Sequence, residues 1–227
     1  MLASELLDEI YAAYRGKTVD RTPAWSEAKA VRAITIANRK IREWATDPNN
    51  RWASLFSVND VGTIDTATFT YDLDDTFFMP SDYALVTKTD DTNVQYPIVP
   101  PQRRDQYSQA LHISGFDPKT ITFAQTIDAG LDGGTLKMPG YYIPDPLSAE
   151  GSFVPVDIPE WLVYITASEL ARNDAAKEDQ VANLVGQAND LYRKMIDNNN
   201  GGAFLQGITI TNNMPNVGSA TDDDWLD

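Results

Sequence analysis

The stretch from Asp157 to Asn198 constrains the fold more than any other part of this sequence. It holds two successive runs of apolar residues at helical spacing, separated by a polar step at Asn173-Asp174. Pro159 suits the first turn of a helix, and Asp157 before it is expected to accept unpaired amide hydrogens. The second run leads into Asn198–Gly202, whose asparagines and glycines favour a helix end. We therefore predict a long helix, broken or kinked near Asn173, with one face in a core.

Two further helices are predicted before residue 52. The first covers Leu2 to Arg15, and the second is rich in basic residues and ends at Asp47-Pro48, because proline disfavours helix at the preceding residue. Neither apolar stripe can be buried alone, so the N-terminal and C-terminal helices are expected to share one core. This predicts a discontinuous helical bundle formed by residues 1–52 and 151–200.

Residues 53–150 differ from both ends, because β-branched residues, alternating patterns and turn signals replace helical spacing. Strands are predicted at 66–71, 83–88, 94–99, 120–125 and 135–144. Short strands at this spacing indicate a small antiparallel β barrel or sandwich inserted between the helices. The predicted fold class is therefore α+β: a helical bundle, an inserted β barrel or sandwich, and an extended C-terminal arm at 201–227.

The segment after Gly202 is too short for a domain, yet it carries apolar residues that form no helical face. One interpretation is a terminus with scattered apolar residues. The other is an arm that becomes ordered on a partner, for example by adding a strand to a sheet edge. The residues that would anchor such an arm are Phe204, Leu205, Ile208, Ile210, Trp225 and Leu226.

The formal net charge of −15 argues against long-range attraction to nucleic acid or to an anionic membrane. Residues 1–60 hold nine Lys or Arg against eight Asp or Glu, so the acidic excess lies in the rest of the chain. The basic side chains of the second helix form either a solvated face or a contact with an acidic surface of another subunit. These side chains are Lys29, Arg32, Arg39, Lys40 and Arg42.

No motif in the sequence predicts catalysis. Cysteine is absent and His112 is the only histidine, so a cluster of His and Cys metal ligands is excluded. Its neighbours Leu111 and Ile113 favour a strand residue over a catalytic base. Asp72, Asp74 and Asp75 lack the turn glycine and distal glutamate of a helix–loop–helix calcium site, which favours a plain acidic loop. We predict no enzyme, no cofactor and no metal site.

The order of these parts is more specific than any single motif. A basic helix ending Ile41-Arg42-Glu43-Trp44 precedes the β insertion, and a strand followed by Tyr141-Tyr142-Ile143-Pro144 leads into the helix of Pro159–Asn173. This layout resembles the head-to-tail adaptor proteins of tailed bacteriophages, the connector, head-completion or tail-tubular A-like family. The likeness covers most of residues 1–200 and includes no catalytic signature.

The resemblance implies a structural virion protein at the head–tail interface, made in the host cytoplasm and with no membrane partner. It implies a ring of about twelve subunits beneath the portal protein, which extends the DNA channel and carries tail, nozzle or tail-terminator proteins. DNA would pass an acidic channel wall without specific binding. The arm would dock on the portal, and the basic second helix would contact the neighbouring subunit.

Two alternatives remain open. The first is another neck or tail component, or a capsid-decoration protein. The second is a cellular α+β binding module or a glycoside hydrolase that uses two carboxylates. A cleft in the β insertion lined by paired carboxylates and aromatic rings would favour the hydrolase.

Overall fold

The structure is a computed structural model that describes residues 1–16, 26–107, 109–115, 119–125, 127–148, 151–174 and 178–200, with the backbone of 201–205. In this part of the chain the α-helices are α1 (Ala3–Arg15), α2 (Glu27–Ala45), α3 (Pro159–Asn173) and α4 (Glu178–Leu205). The strands are β1 (Phe56–Thr63), β2 (Thr70–Asp72), β3 (Phe77–Pro80), β4 (Tyr83–Thr87), β5 (Asn93–Pro97), β6 (Leu111–Ser114), β7 (Thr120–Phe123) and β8 (Thr135–Tyr142). The predicted α+β class is confirmed.

Local sequence explains most of the helix ends. The Glu5 carboxylate accepts a 2.8 Å hydrogen bond from the Leu2 amide at the start of α1, and Gly16 ends this helix with a φ of 66°. α3 begins at Pro159, as predicted. The cap predicted at Asp157 is wrong, because Ile158 occupies the cap position and no side chain bonds to the first turn.

The predicted break near Asn173 separates two helices that pack against each other. Trp161 at the start of α3 contacts Tyr192 late in α4, with ring centroids 5.7 Å apart, so the two helices are antiparallel. The predicted helix end at Asn198–Gly202 is wrong, since the backbone of α4 continues to Leu205. Asn199 does not close the helix, because its side chain bonds to Arg51 and Ala53.

The four described helices share one hydrophobic core. α3 packs against α1, α2 and α4, and it is buried around most of its circumference, as expected of a central helix. Trp52 joins this core from the segment that leads into β1, and Leu147 and Val156 join it from the segment that leads into α3. The two ends of the chain therefore meet in one core.

The strands form two antiparallel sheets. β8 is central in the larger sheet, because β1 pairs along one of its edges while β4 and β3 pair along the other; β5 completes the sheet beside β4. The smaller sheet has the order β2-β7-β6. β8 needs glycine at position 140, since a Cβ there would lie 2.7 Å from the Met79 carbonyl oxygen.

Of the two predicted forms of the β insertion, a barrel or a sandwich, the closed barrel is wrong. β1 and β5 lie at opposite edges of the larger sheet and do not pair with each other, so this sheet stays open. The two sheets instead share a second core, to which Phe123 of β7 and Met138 of β8 both belong. No described buried residue belongs to both this core and the helical one. The β insertion thus has a hydrophobic interior of its own.

One strand prediction failed because a turn was not recognised. Only Thr70 and Tyr71 of the predicted strand at 66–71 belong to β2. The Asp65 carboxylate accepts a 2.9 Å hydrogen bond from the Ala67 amide, and this local bond holds the residues just before β2 in a turn. β1, by contrast, was not predicted at all.

Candidate functional site

Four of the five basic residues predicted to form a contact surface on α2 make ion pairs within the chain. Lys29 Nζ lies 2.8 Å from Asp174 Oδ2 and donates to the Tyr14 hydroxyl at 3.1 Å. Tyr14 in turn donates to Asp174 at 2.7 Å, and Arg32 lies 4.0 Å from the same carboxylate. This cluster joins α1 and α2 to the C-terminal end of α3.

The contacts in this cluster favour the charged states of Lys29 and Asp174. Hydrogen bonds from Lys29 and Tyr14 lower the pKa of the Asp174 carboxyl, and the bond to Asp174 raises the pKa of Lys29. Both side chains are about one-third exposed or less, and solvent screens such pairs. The pair is therefore expected to contribute only ~0–1 kcal/mol to stability.

A second group of ion pairs lies at the C-terminal half of α2. Arg39 pairs with Glu169 of α3, while Lys40 Nζ lies 2.7 Å from Glu43 Oε2 and 3.6 Å from Glu169 Oε2. For these residues, α3 of the same chain supplies the acidic partner that one of our two interpretations placed on another subunit. They are consequently less available for contacts between subunits.

A different line of residues on α2 remains accessible. Arg42 is exposed and forms no ion pair with any described residue, and the Val31 side chain is 61% exposed. Thr35 is exposed as well. At about 100° per residue, these three positions fall within roughly 40° of one another around the helix. We call Val31, Thr35 and Arg42 the outer face of α2.

The C-terminal part of α4 is attached to the segment that leads into β1. Asn199 Oδ1 accepts a 3.0 Å hydrogen bond from the Ala53 amide, and Asn199 Nδ2 donates to the Arg51 carbonyl at 2.9 Å. Two turns earlier, Tyr192 packs against Trp52 with ring centroids 5.9 Å apart. Sequence analysis missed this attachment because the Asn199 and Ala53 positions are 146 residues apart.

The structure reaches two of the six residues predicted to anchor a C-terminal arm. Phe204 and Leu205 lie in the last turn of α4 instead of in an extended segment. The other four predicted anchors are outside the described residues: Ile208, Ile210, Trp225 and Leu226. The arm as a docking element therefore stays a prediction.

A cleft of about 260 Å³ opens in the β insertion. The rings of Tyr96 and Phe123 meet edge to face there, with centroids 5.9 Å apart. Burial, and secondarily the charge of Asp128, raises the pKa of Tyr96. Asp128 is the one carboxylate among the described lining residues, so they do not supply the carboxylate pair that would favour a glycoside hydrolase. The complete described lining is Tyr96, Gln109, Ala110, Phe123, Gln125, Ile127, Asp128 and Leu131.

His112 lies on β6, which confirms its prediction as a strand residue. Its side chain is 7% exposed, and burial, followed by the nearby charge of Arg104, lowers its pKa. His112 Nδ1 has no hydrogen-bond partner among the described residues. The imidazole is therefore expected to be neutral in the folded protein near pH 7.

The acidic loop before β3 has a local structural role. The Asp74 carboxylate accepts a 2.7 Å hydrogen bond from the Thr76 amide and also bonds to the Thr76 hydroxyl. These bonds lower the pKa of Asp74 and stabilise the turn. Among the residues with described positions, no three His, Asp or Glu side chains are grouped as metal ligands.

None of the helices in the described ranges is long and apolar enough to cross a membrane. The chain matches no family model, and it matches no curated protein.

Proposed function

We propose that this chain is a structural head-to-tail adaptor of a tailed bacteriophage, forming a ring of about twelve subunits below the portal. The observation that best supports the proposal is the presence of two separate cores. Helices from both ends of the chain surround one core, and the inserted strands surround the other. In the ring, the helices act as a discontinuous bundle that packs against its neighbours, and the β insertion projects from it.

The outer face of α2 is the proposed contact with the next subunit. Lys29, Arg39 and Lys40 have acidic partners in their own chain, whereas Arg42 has none among the described residues. The exposed Val31 supplies apolar area on the same line of the helix. A head-to-tail contact of this kind, repeated once per subunit, closes a ring. Its charges contribute to register and orientation more than to affinity.

The other proposed partners are DNA, the portal protein and the tail components. A net charge of −15 is compatible with a channel wall that repels phosphates and has no binding site for DNA. The residues that follow α4 form the proposed portal-docking arm, and tail, nozzle or tail-terminator proteins attach to the ring. The proposal includes no enzymatic activity and no cofactor.

Copy number in purified particles tests the function directly. Quantitative mass spectrometry against the major capsid protein is expected to give about twelve copies per particle, the number that one portal-matched ring requires. Hundreds of copies would identify a protein that decorates the capsid. Absence from the particles would overturn a virion role altogether.

Ring assembly tests the outer face of α2. Arg42→Glu is expected to block ring formation, measured by native mass spectrometry with the portal present, and to change the free energy of unfolding by less than about 0.5 kcal/mol. Arg103→Glu, in the segment between β5 and β6, is the control, because Arg103 is exposed and, like Arg42, forms no ion pair with any described residue. Arg39→Glu is unsuitable, since the new carboxylate would repel Glu169 of the same chain. Equal ring formation by both variants would exclude the outer face of α2 from the contact.

A further inference from the structure

We propose that the outer edge of β1 from Phe56 to Asn59 is a strand-acceptor site, and that its occupant is the segment Ile208–Thr211 of the same chain. The inference concerns the free chain and does not rest on the adaptor function. Docking of the same segment on the portal, as proposed above, would require its release from β1. It rests on three observations: an open sheet edge, alternating exposed apolar side chains along that edge, and the attachment of α4 beside it.

Half of the β1 edge pairs with none of the described strands. β1 is the edge strand of the larger sheet and pairs there with β8. Its far half is protected, because the register shifts between Asp60 and Gly62, and the Tyr71 ring packs close to Gly62. The near half, Phe56–Asn59, keeps an unbroken register with β8. Its outward backbone amides and carbonyls form no strand pair with any described residue.

The side chains of the open half alternate in character. Phe56 and Val58 are 43% and 47% exposed, unusually high values for large apolar residues in a strand. Ser57 and Asn59 occupy the opposite face, where the Ser57 hydroxyl lies 2.7 Å from Asn59 Oδ1. The acceptor edge therefore offers one apolar and one polar face to an added strand.

The proposed occupant has the same alternation. Ile208-Thr209-Ile210-Thr211 consists entirely of β-branched residues, which fit a pleated sheet surface well. When this segment pairs with β1, its isoleucines lie on the face of Phe56 and Val58, and its threonines lie on the polar face. A shift by one residue would place isoleucine on the polar face, so the pattern also specifies the register.

The attachment of α4 brings the segment within reach. Asn199 holds α4 against Arg51 and Ala53, a few residues before Phe56. The six residues from Asn199 to Leu205 extend about 9 Å along the helix axis. The three residues from Leu205 to Ile208 span up to about 10 Å when extended, so the chain can return to the level of Asn199. Asn199 bonds to Ala53, which precedes Phe56 by three residues. An occupant in the same chain also avoids the entropy cost of association.

Paired cysteines test the inference, because the full chain has no cysteine of its own. Val58→Cys is combined with either Ile208→Cys or Ile210→Cys, which share its face in the proposed pairing. The matched control combines Val58→Cys with Thr209→Cys, whose side chain is on the opposite face. Under mild oxidation, at least one isoleucine-position pair is expected to form an intramolecular disulfide several times faster than the control.

The products of oxidation separate the outcomes. A monomeric disulfide that favours positions 208 or 210 over 209 supports docking within the chain. Disulfide-linked dimers at low protein concentration would overturn it, because a second copy would then supply the strand. Equal rates at all three positions would also overturn it, since they indicate random collision without a register.

Hydrogen exchange of backbone amides provides a second measurement, and it needs no cysteine substitutions. In the full chain, the outward-facing amides among residues 56–59 are expected to exchange at least about tenfold more slowly than in a chain truncated after Leu205. The amides of β7, which lies in the other sheet, serve as an internal control. Unchanged exchange at residues 56–59 after truncation would overturn the proposal.

Discussion

Asn38 of α2 and Leu147 form two reciprocal hydrogen bonds. Asn38 Nδ2 donates to the Leu147 carbonyl oxygen at 3.0 Å, and the Leu147 amide donates to Asn38 Oδ1 at 2.7 Å. Leu147 is 3% exposed, so water cannot readily replace either bond. One side chain thereby attaches the segment that leaves the β insertion to the helical core.

Asn38→Ala is expected to lower the free energy of unfolding by about 1–3 kcal/mol, because it leaves the amide and carbonyl of Leu147 without these partners. Denaturant titration at neutral pH measures the change. Asn183→Ala on α4 is the control, because Asn183 is exposed. Equal midpoints for the two variants would show that the Asn38 bonds do not contribute to stability.

Tyr192→Phe is expected to lower the free energy of unfolding by about 1–2 kcal/mol near pH 7, because it removes a 2.6 Å hydrogen bond to Asp47 Oδ2. The aromatic ring remains, so its contacts with Trp52 and Trp161 are retained. Tyr164→Phe provides the control for loss of a hydroxyl, since the Tyr164 side chain borders the same core.

The effect of Tyr192→Phe should also depend on pH. Burial raises the pKa of the Asp47 carboxyl, but the hydrogen bonds from Tyr192, Asn49 and Asn50 together lower it by more. The net pKa therefore lies below the ordinary value of about 3.9. The carboxylate therefore contributes stability above about pH 4, and this stability is lost as the pH falls through the folded-state pKa. The difference between wild type and Tyr192→Phe should shrink in that range. A constant difference would contradict this assignment.

Gly140→Ala and Gly186→Ala are expected to change stability in opposite directions. A Cβ at position 140 would lie 2.7 Å from the Met79 carbonyl oxygen and 2.8 Å from Phe77, which should cost about 1–3 kcal/mol. A Cβ at position 186 meets no atom within 4 Å, and alanine favours helix over glycine by up to about 1 kcal/mol. Thermal unfolding of the two variants measures both effects. A stable Gly140→Ala protein would contradict the close approach of β3 to β8.

His112 is expected to make stability depend on pH in mildly acidic solution. Burial lowers its pKa in the folded protein, so its contribution is present above the ordinary value of about 6.5. That contribution is lost as the pH falls through the lower folded-state pKa. Comparing wild type with His112→Leu between pH 7 and pH 5 isolates this effect. Glu9, whose pKa is raised mainly by burial, contributes with the opposite sign in both proteins. Parallel curves would exclude His112 as the titrating group.

For the candidate contact surface on α2, the sequence predicted part of the arrangement and the tertiary structure decided the rest. The basic character of α2 is evident from the spacing of its lysines and arginines, but their partners are not. Lys29 binds Asp174 and Arg39 binds Glu169 because α2 packs beside α3, and helical periodicity does not specify which helices become neighbours. The distinction between paired Arg39 and accessible Arg42 therefore required the tertiary structure.

The sequence by itself determined the helix starts and ends that depend on interactions between residues a few positions apart. The end of α1 at Gly16, the start of α3 at Pro159 and the break after Asn173 follow from backbone conformation, capping and the interruption of periodicity. Only the tertiary structure decided that β8 is the central strand, that β1 lies at the edge of the described sheet and that Asn199 reaches back to Ala53. Alternation specifies which residues share a face of a strand, but it does not specify which strand edges meet. The pairing of strand edges depends on contacts between residues that are distant in the sequence. These contacts form two separate sheets, although the sequence was also consistent with a closed barrel.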